Sequence, residues 1–545
     1  MTRFSFKPSA LSGSTKTETT DSDCKSSSQS KSSSSSETVH LDYLYESLEA
    51  FSIEDTTSPL AENTKALEPL LCLSSGAAST PYEDSERGIL LTRDVKRDAA
   101  ILSIPLSSCL CDDSPPDWFY AENPDEMTDS VSDEKNNENK MEFDKNANDN
   151  ENDNLMEELL ADHTNHHLHN PSQWATRLAA SLLDLQYSSS KSKKLDKRQK
   201  GLAQWLSMGP NPSSLRASLP VHWSDNALSK ARCCALELAV DSAYFARAEA
   251  VDALLDGLRR RNRKRGDTDN ALEEEGIMAA QCHASLDFVQ TRVCRVDRLN
   301  GLHPPMRILA PIFDFINHGG ANGSKSANAS FKLEKNPVSM DNDLDENEAA
   351  DEQENNAYLV VRASRDMKKG DEVLINYGES TRPAWRCLAS YGFIPEDKDT
   401  DDEEDNGDVA EVFMDGIRYE VGKSTVPMDM VVAAAAAIAA ENGEYDIDDE
   451  NSEHEESENP LTATVALRIA KRVSDVAFDL LLENTKANAL PEQLDAYGED
   501  DEDSETAAEI FASSLAASLR YSQHRVLMSC AMGLKDYAGQ NMGFE

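Results

Sequence analysis

Two polar residues stand directly after an apolar run in the segment Asp314-Phe-Ile-Asn-His318. A histidine in this place can take part in catalysis through its two ring nitrogens, although an isolated histidine after a strand is more often a capped structural residue. A second apolar run begins at Asp371 and ends in Tyr377-Gly378. A tyrosine at a strand end can present its hydroxyl to a ligand, or it can simply pack as an amphipathic residue. The two segments are candidate parts of one site, and only their combination with other motifs gives them weight.

Two shorter motifs accompany these segments. Tyr391 and Phe393 flank Gly392, a pattern typical of a tight turn, and Arg87-Gly88 precedes an apolar run as a turn residue pair would. Neither motif indicates a function by itself. Their order and spacing relative to the first two segments carry the information.

Some residue types in the sequence could also bind a metal ion. Four histidines could chelate a metal ion: His163, His166, His167 and His169. A low-complexity tract in an Asn-rich flank is the favoured explanation of these histidines. Two close cysteine pairs could belong to a zinc site: Cys109/Cys111 and Cys233/Cys234. Because no second C-x-x-C half completes a zinc tetrahedron, we expect no metal site.

The elements that position these residues follow from the hydrophobic pattern. Residues 1–80 are rich in Ser, Thr and isolated charges and predict a disordered tail. Residues 81–112, the first β segment, hold two β-like apolar runs, Ile89 to Leu91 and Ile101 to Ile104, which predict a hairpin. Residues 113–165 consist largely of Asn, Asp and Glu, so we expect a disordered insertion that buries too little apolar surface to offset its ordering entropy.

Helical periodicity dominates residues 166–290, for example in Trp174 to Leu185 and in Ala227 to Leu258. Ser224 or Asp225 is a candidate N-cap of the second of these helices. Short β-like runs return in residues 291–396, which include an acidic loop at 336–356, and three helical segments fill residues 409–545. The fold class is therefore α+β: a β fold interrupted by a helical insertion and followed by an all-α domain, with disordered acidic loops.

In order and spacing, the motifs resemble those of the SET-domain protein methyltransferases, and more narrowly the branch similar to the RuBisCO large-subunit methyltransferase. In that branch a helical insertion splits the SET domain, and a helical substrate-binding domain follows it. Six elements carry the resemblance: Arg87 to Val95 with Ile104-Pro105, Leu219-Pro-Val-His-Trp-Ser-Asp225, Cys282 to Arg292, Leu309 to His318, Gly370 to Gly378, and Tyr391-Gly-Phe393.

The resemblance implies S-adenosylmethionine as the cofactor and a protein as the substrate. Methyl transfer from a sulfonium needs alignment, desolvation and charge placement rather than a metal. The resemblance assigns the catalytic position to Tyr377. It assigns cofactor binding to Gly88, Ile89, Leu90, Arg292, Asp314, Asn317, His318 and Phe393. It assigns substrate binding to Thr291 and Tyr391.

Lysine is the acceptor that the resemblance favours. The pair Val293-Cys294 after Arg292 lacks the polar amide expected near this point in histidine-methylating members. Missing cysteine-zinc modules, which flank many histone-type SET domains, favour a non-histone protein as the substrate. Histidine methylation remains an alternative, as does a catalytically silent SET-like scaffold, although retention of Tyr377 together with Asn317-His318 argues against the scaffold.

Charge and cysteine usage limit the partners. The chain has 53 Lys+Arg and 100 Asp+Glu, a net charge of −47. Five acidic stretches hold 52 of the acids and 4 of the bases: Glu122 to Asp162, Val338 to Asn356, Glu396 to Glu411, Glu441 to Glu458 and Glu492 to Glu509. The remainder is nearly neutral, so the acidity belongs to loops around the core, where it disfavours nucleic-acid binding. The basic run Arg259 to Arg265 fits a nuclear-import signal, a patch for an acidic partner or an exposed loop between helices.

No run of 18 uncharged apolar residues predicts a membrane span, and we expect a monomer. Ten cysteines without a disulfide-like framework favour a reduced, intracellular compartment. The sequence leaves the cytoplasm and the nucleus open, and also a plastid, because Met1 to Thr17 contains basic residues and no acid.

Overall fold

The computed structural model describes thirteen segments of the chain: residues 3–5, 71–73, 88–119, 174–191, 197–265, 271–299, 305–319, 327–335, 357–378, 382–395, 408–442, 460–487 and 501–542. The predicted acidic insertion lies outside these residues from position 120 onwards. The acidic loop 336–356 and the four-histidine tract also lie outside them.

The β part of the fold is a set of small sheets. Its strands are β1 (Arg3–Ser5), β2 (Leu71–Leu73), β3 (Ile89–Leu91), β4 (Ala100–Pro105), β5 (Leu110–Cys111), β6 (Cys294–Val296), β7 (Met306–Leu309), β8 (Asn317–His318), β9 (Ala329–Lys335), β10 (Ala357–Ala363) and β11 (Leu374–Ile375). Two antiparallel sheets have the orders β4-β10-β9 and β5-β7-β6. Strands β8 and β11 pair in parallel, with Asn317 opposite Leu374 and His318 opposite Ile375.

The prediction that β3 and β4 form a hairpin is wrong. Strand β3 pairs with β2, and β4 pairs with β10. The charged segment between β3 and β4 does not close a hairpin because it pairs elsewhere, with Val95 and Met367 exchanging two backbone hydrogen bonds of 2.9 and 2.8 Å. Strand β2 also shows that part of the predicted N-terminal tail is ordered structure within the β fold.

The insertion consists of helices packed on one another and on the sheets. They are α1 (Trp174–Lys191), α2 (Lys197–Ser207), α3 (Pro212–Ser218), α4 (Asp225–Ser229), α5 (Cys234–Arg265) and α6 (Ala271–Arg292). The periodic residues Leu178 and Leu182 of α1 are buried, as the 3 to 4 spacing predicts. Ser224 caps α4 by accepting a hydrogen bond from the N–H of Ala227 at 3.2 Å, as one of the two candidate caps predicted. The helix predicted from Ala227 to Leu258 is not continuous, because α4 ends at Ser229 and α5 begins at Cys234.

The basic run at the end of α5 is helical rather than a loop. Arg261 is buried and pairs with Asp184 at 3.2 Å, and Arg260 donates to the backbone carbonyl of Phe119 at 3.2 Å. The interpretation of Arg259 to Arg265 as an exposed loop is therefore wrong. The hydrophobic pattern missed this because the partners of these arginines lie far away in the sequence.

The C-terminal domain contains α8 (Met428–Asn442), α9 (Ala463–Ala487) and α10 (Asp501–Asn541), preceded by α7 (Ala384–Tyr391) at the end of the SET part. Three strands also belong to this domain: β12 (Val409–Met414), β13 (Ile417–Gly422) and β14 (Thr425–Pro427). The expected all-α domain therefore also carries a β-hairpin. Its turn, Asp415-Gly416 with φ of 52° and 82°, is a typical hairpin signal that the helical pattern around it obscured.

A small apolar cluster joins the insertion, α7 and the C-terminal domain. Its members include Leu236 of α5, Leu388 of α7 and Leu519 of α10. Strand β1 adds a further connection, because it pairs with β14 although the sequence predicts a disordered tail there. Among the described helices, none combines the length and apolar composition that crossing a membrane requires.

Candidate active site

Four predicted site residues from three separate segments form one aromatic cluster. The ring centroids of His318 and Tyr377 lie 5.3 Å apart, and those of Tyr377 and Tyr391 lie 5.1 Å apart. Phe393 completes the cluster, with its centroid 6.0 Å from both His318 and Tyr391. The tertiary structure thus brings together the motifs whose order and spacing the sequence singled out.

The parallel pairing of β8 and β11 places His318 beside Tyr377. The backbone N–H of Tyr377 donates to Nδ1 of His318 at 3.2 Å, so this ring nitrogen acts as the acceptor. Asn328 holds β11 in place, because its amide donates to the carbonyl of Glu372 at 2.7 Å and accepts from the N–H of Leu374 at 2.8 Å. Sequence reasoning missed Asn328, which lies in a Gly/Asn/Ser loop without a motif of its own.

Helix α7 delivers Tyr391 to the cluster and ends immediately afterwards. Gly392 adopts a left-handed conformation with φ of 77°, which favours glycine. A Cβ atom at this position would lie 2.4 Å from Oγ of Ser218, so the close approach of α3 also requires glycine. The motif Tyr391-Gly-Phe393 is therefore a helix end that turns both rings toward Tyr377.

Hydrogen bonds fix the two tyrosine hydroxyls. Tyr377 donates to the backbone carbonyl of Ile316 at 2.6 Å, and Tyr391 donates to the backbone carbonyl of Tyr377 at 2.9 Å. Arg382 donates to the hydroxyl of Tyr391 at 3.0 Å, a contact that the sequence did not predict. Burial raises the pKa of Tyr377 and of Tyr391 above the usual range, so both hydroxyls stay protonated at neutral pH.

Asp314 lies buried on a short 3-10 turn, Phe313–Phe315. The indole N–H of Trp205 donates to Oδ1 of Asp314 at 3.0 Å, and Arg292 donates to the backbone carbonyl of Asp314 at 2.7 Å. Burial raises the pKa of Asp314 to about 6, against the opposing effects of Arg292 and Trp205. Ile312, just before the turn, has φ of 72°, a strained conformation for a β-branched residue that helps to aim Asp314 inward.

Gly88 and Asn317 meet at Glu372. The amide of Asn317 donates to Oε1 of Glu372 at 2.8 Å. A Cβ at Gly88 would overlap the same oxygen, so the glycine leaves room for the Glu372 side chain in this position. Ile89 is fully buried and accepts a hydrogen bond from the N–H of Val373 at 2.7 Å. The assignment of Ile89 and Leu90 to cofactor binding therefore stays a prediction about their backbone.

A cavity of about 480 Å³ lies on one side of Tyr377. Five predicted site residues line it: Thr291, Arg292, Asp314, Tyr377 and Tyr391. The hydroxyl of Thr291 is turned to its own helix, where it donates to the carbonyl of Asp287 at 2.9 Å. The other predicted residues do not line this cavity: Gly88, Ile89, Leu90, Asn317, His318 and Phe393. Tyr377 thus belongs both to the cavity wall and to the aromatic cluster.

Comparison with known proteins agrees with this geometry. Residues 86–378, more than half of the chain, match the SET domain family. The protein therefore belongs to the SET domain family, which confirms the SET-type fold predicted from its motifs. No curated protein matches the sequence.

Several solved structures are similar to the chain. A crystal structure of the SET domain of LSMT bound to lysine and AdoHcy has 12% sequence identity and a TM-score of 0.43, covering 93% of this chain and 92% of its own. The same domain bound to methyllysine and AdoHcy has 11% identity and a TM-score of 0.45, covering 92% and 91%. Rubisco LSMT bound to sinefungin and monomethyllysine has 13% identity and a TM-score of 0.42, covering 92% of both chains.

Proposed function

We propose that this protein is an S-adenosylmethionine-dependent protein-lysine N-methyltransferase that acts on a non-histone protein. One observation carries the proposal: within a SET domain, the protonated hydroxyl of Tyr377 stands at the wall of a 480 Å³ cavity, clustered with His318, Tyr391 and Phe393. A silent scaffold would have no physical need for this convergence of buried aromatic and polar groups.

The residues of the site fit the cofactor. Several buried polar atoms at the cavity have no hydrogen-bond partner within the described segments, among them Nε of Arg292, Oδ2 of Asp314 and Oδ1 of Asn376. Buried polar atoms left without a partner destabilise a protein, so a ligand with charged and polar groups would satisfy them. S-adenosylmethionine supplies an activated methyl group on a sulfonium. Its holders would be Gly88, Ile89, Leu90, Arg292, Asp314, Asn317, His318 and Phe393.

Tyr377 is the catalytic residue of the proposal. Its hydroxyl proton is engaged by the carbonyl of Ile316, which leaves the oxygen lone pairs to orient the attacking amine and the transferred methyl group. Weak C–H···O contacts of about 0.5–1 kcal/mol each would add to this alignment. Tyr391 fixes the backbone of Tyr377 through its own hydroxyl and forms part of the cavity wall.

The cavity also favours the neutral form of the acceptor lysine. Its walls include Phe313, Phe331 and Trp385, which take the amine out of water. Desolvation lowers the pKa of an amine, and nearby arginine charges shift it in the same direction. A neutral amine keeps the lone pair that attacks the methyl carbon. Val293 and Cys294, which follow Arg292 where histidine-methylating members are expected to carry a polar amide, line the cavity without one, and this supports lysine over histidine. The amides of Gln290 and Asn376 also belong to the lining, and that of Gln290 donates to the carbonyl of Ala389 at 2.9 Å.

The remaining elements of the proposal concern partners and location. The C-terminal domain would dock a folded protein substrate, and the enzyme would work as a monomer without nucleic acid. The described cysteines form no disulfide bonds, which supports a reduced compartment: Cys109, Cys111, Cys233, Cys234, Cys282, Cys294, Cys387 and Cys530. We propose a cytoplasmic or nuclear location, with a plastid as the alternative.

Calorimetry and radiolabelling test the proposed function. Titration of S-adenosylmethionine into the purified protein should show one binding site, and a radioactive methyl donor should label a protein in cell lysate. Mass spectrometry of the labelled residue should identify methyllysine. If neither binding nor labelling occurs, the proposed function fails, and methylhistidine in the product would establish the alternative acceptor.

A further inference from the structure

Arginines dominate the charged residues around the cavity. Its lining contains Arg247, Arg292, Arg295, Arg307, Arg382 and Arg386. The same lining contains one acidic residue, Asp314. This local excess of positive charge contrasts with the net charge of −47 of the whole chain.

Two of the six arginines have evident structural roles. Arg247 forms a buried ion pair with Asp287 and also donates to the carbonyl of His283 at 2.7 Å. Arg292 donates to the carbonyl of Asp314 and belongs to the predicted cofactor site. The charges of Arg295, Arg307, Arg382 and Arg386, which we call the arginine rim, are not explained by these roles.

Aromatic rings lie against three residues of the arginine rim. The guanidinium of Arg307 lies 4.7 Å from the ring centroid of Trp174, that of Arg382 5.5 Å from Tyr391, and that of Arg386 5.3 Å from Trp385. Stacking of this kind fixes the plane of a guanidinium and leaves N–H groups at its edge accessible to acceptors.

Within the described segments, no carboxylate forms an ion pair with the guanidinium of Arg295, Arg307 or Arg382. The Asp112 carboxylate lies close enough to attract the charge of Arg307, but it accepts from the backbone N–H of that residue, at 3.1 Å. Arg295 is exposed at the cavity edge. Arg295, Arg307 and Arg382 are thus cations whose natural counterparts are carboxylates of another molecule.

We propose that the acceptor lysine lies in an acidic segment of the substrate, and that the arginine rim binds the carboxylates flanking this lysine. The inference rests on the proposed function, since it takes the cavity to be the entry of the lysine. Charges act weakly on one another beyond about 8 Å, the Debye length at physiological ionic strength, so the charges that line the cavity dominate at this point. Local charge at the cavity therefore selects the substrate segment.

Peptide pools test this recognition without requiring catalysis. Three fluorescent pools each carry a central lysine, flanked by random Asp/Glu, by random Asn/Gln or by random Lys/Arg, and binding to the full chain is measured by fluorescence anisotropy. The acidic pool should bind about tenfold more tightly than the neutral pool, a preference that 0.5 M salt should largely abolish. The basic pool should bind most weakly.

Two arginine variants and a control locate the effect. The double variant Arg295→Gln/Arg382→Gln should weaken binding of the acidic pool about tenfold and that of the neutral pool far less. Arg295→Gln alone, at an exposed position, should weaken it about threefold without risk to folding. Arg97→Gln is the control, because Arg97 is 71% exposed and does not line the cavity. It should bind all pools as the wild type does.

The outcomes separate this inference from the proposed function. Equal binding of the acidic and neutral pools, no measurable binding of the acidic pool, or an equal loss in the Arg97→Gln control would overturn the inference. Methyl transfer to lysines without acidic neighbours would also overturn it while supporting the methyltransferase. If the protein prefers the acidic pool but transfers no methyl group, the inference about the arginine rim is supported and the proposed function is rejected.

Discussion

Glu411 accepts a hydrogen bond from the backbone N–H of Cys234 at 2.7 Å, and its other carboxylate oxygen accepts one from Ala235 at 2.8 Å. The carboxylate thus caps the N-terminus of α5, where unpaired N–H groups and the helix dipole favour negative charge. Asp408 makes a similar contact with α7 by accepting from the N–H of Ala384 at 3.0 Å. Helices α5 and α7 both line the cavity. The carboxylates of Glu411 and Asp408 therefore position two helices that form part of the cavity wall.

Replacement of Glu411 should destabilise the protein. Glu411→Ala leaves two buried N–H groups and Arg418 without their acceptor, and we expect a loss of about 3 kcal/mol in the free energy of unfolding. Glu411→Gln keeps one acceptor and should cost about half as much. Urea denaturation followed by circular dichroism measures both. Glu441→Gln is the matched control, since Glu441 forms an exposed pair with Arg468 and should change stability by less than about 1 kcal/mol.

Removal of the Tyr377 hydroxyl should separate catalysis from folding. Tyr377→Phe should lower kcat by about 100-fold or more, because the group that aligns the amine and the methyl carbon is lost. Stability should fall by only about 1 kcal/mol, the contribution of one hydrogen bond. Tyr537→Phe is the matched control, because Tyr537 makes the same kind of bond to the carbonyl of Leu461 at 2.9 Å, in the C-terminal core. A Tyr377→Phe enzyme with wild-type kcat would refute the catalytic assignment and leave the fold intact.

Asp314 should make stability depend on pH in an identifiable direction. Burial raises its pKa from 3.8 to about 6, so the folded protein still binds a proton at pH values where the unfolded chain has released it. The stabilising contribution is therefore complete below pH 4 and is lost as pH rises through about 6, roughly 3 kcal/mol in total.

Asp314→Asn should remove this dependence, because the amide cannot ionise. The difference in unfolding free energy between variant and wild type should shift in favour of the variant as pH rises from 4 to 7. Thermal unfolding at four pH values measures this difference. Asp256→Asn is the control, because the side chain of Asp256 is 59% exposed. Parallel pH profiles of wild type and Asp314→Asn would show that Asp314 does not titrate in this range.

Alanine at Gly392 should disturb both the backbone and the packing of the site. Gly392→Ala adds the strain of φ at 77° and a contact of 2.4 Å with Ser218, and we expect a loss of about 3 kcal/mol. Gly416→Ala is the matched control, because Gly416 has φ of 82° but no atom within 4 Å of the added Cβ. It should cost about 1 kcal/mol. Equal melting temperatures for the two variants would exclude the predicted clash with α3.

Local patterns in the sequence determined most of the helices and the motifs of the site. The 3 to 4 spacing of apolar residues predicted α1 and most of α5, because a helix buries a face whose period is set within the chain itself. The three helical segments predicted in residues 409–545 correspond to α8, α9 and α10. The motifs Asn317-His318 and Tyr391-Gly-Phe393 were readable because each combines a chemically distinctive side chain with an adjacent turn.

Partners distant in the sequence decided the rest. Strand β3 pairs with β2 instead of β4, and Glu411 and Asn328 bind residues far from them in the sequence. Strand pairing, buried helix caps and stacked arginines depend on contacts between residues that are far apart in the sequence. The spacing of neighbouring residues does not predict these contacts. The sequence by itself determined which residues could do the chemistry, whereas only the tertiary structure decided that Tyr377 would stand between an aromatic cluster and a cavity ringed by arginines.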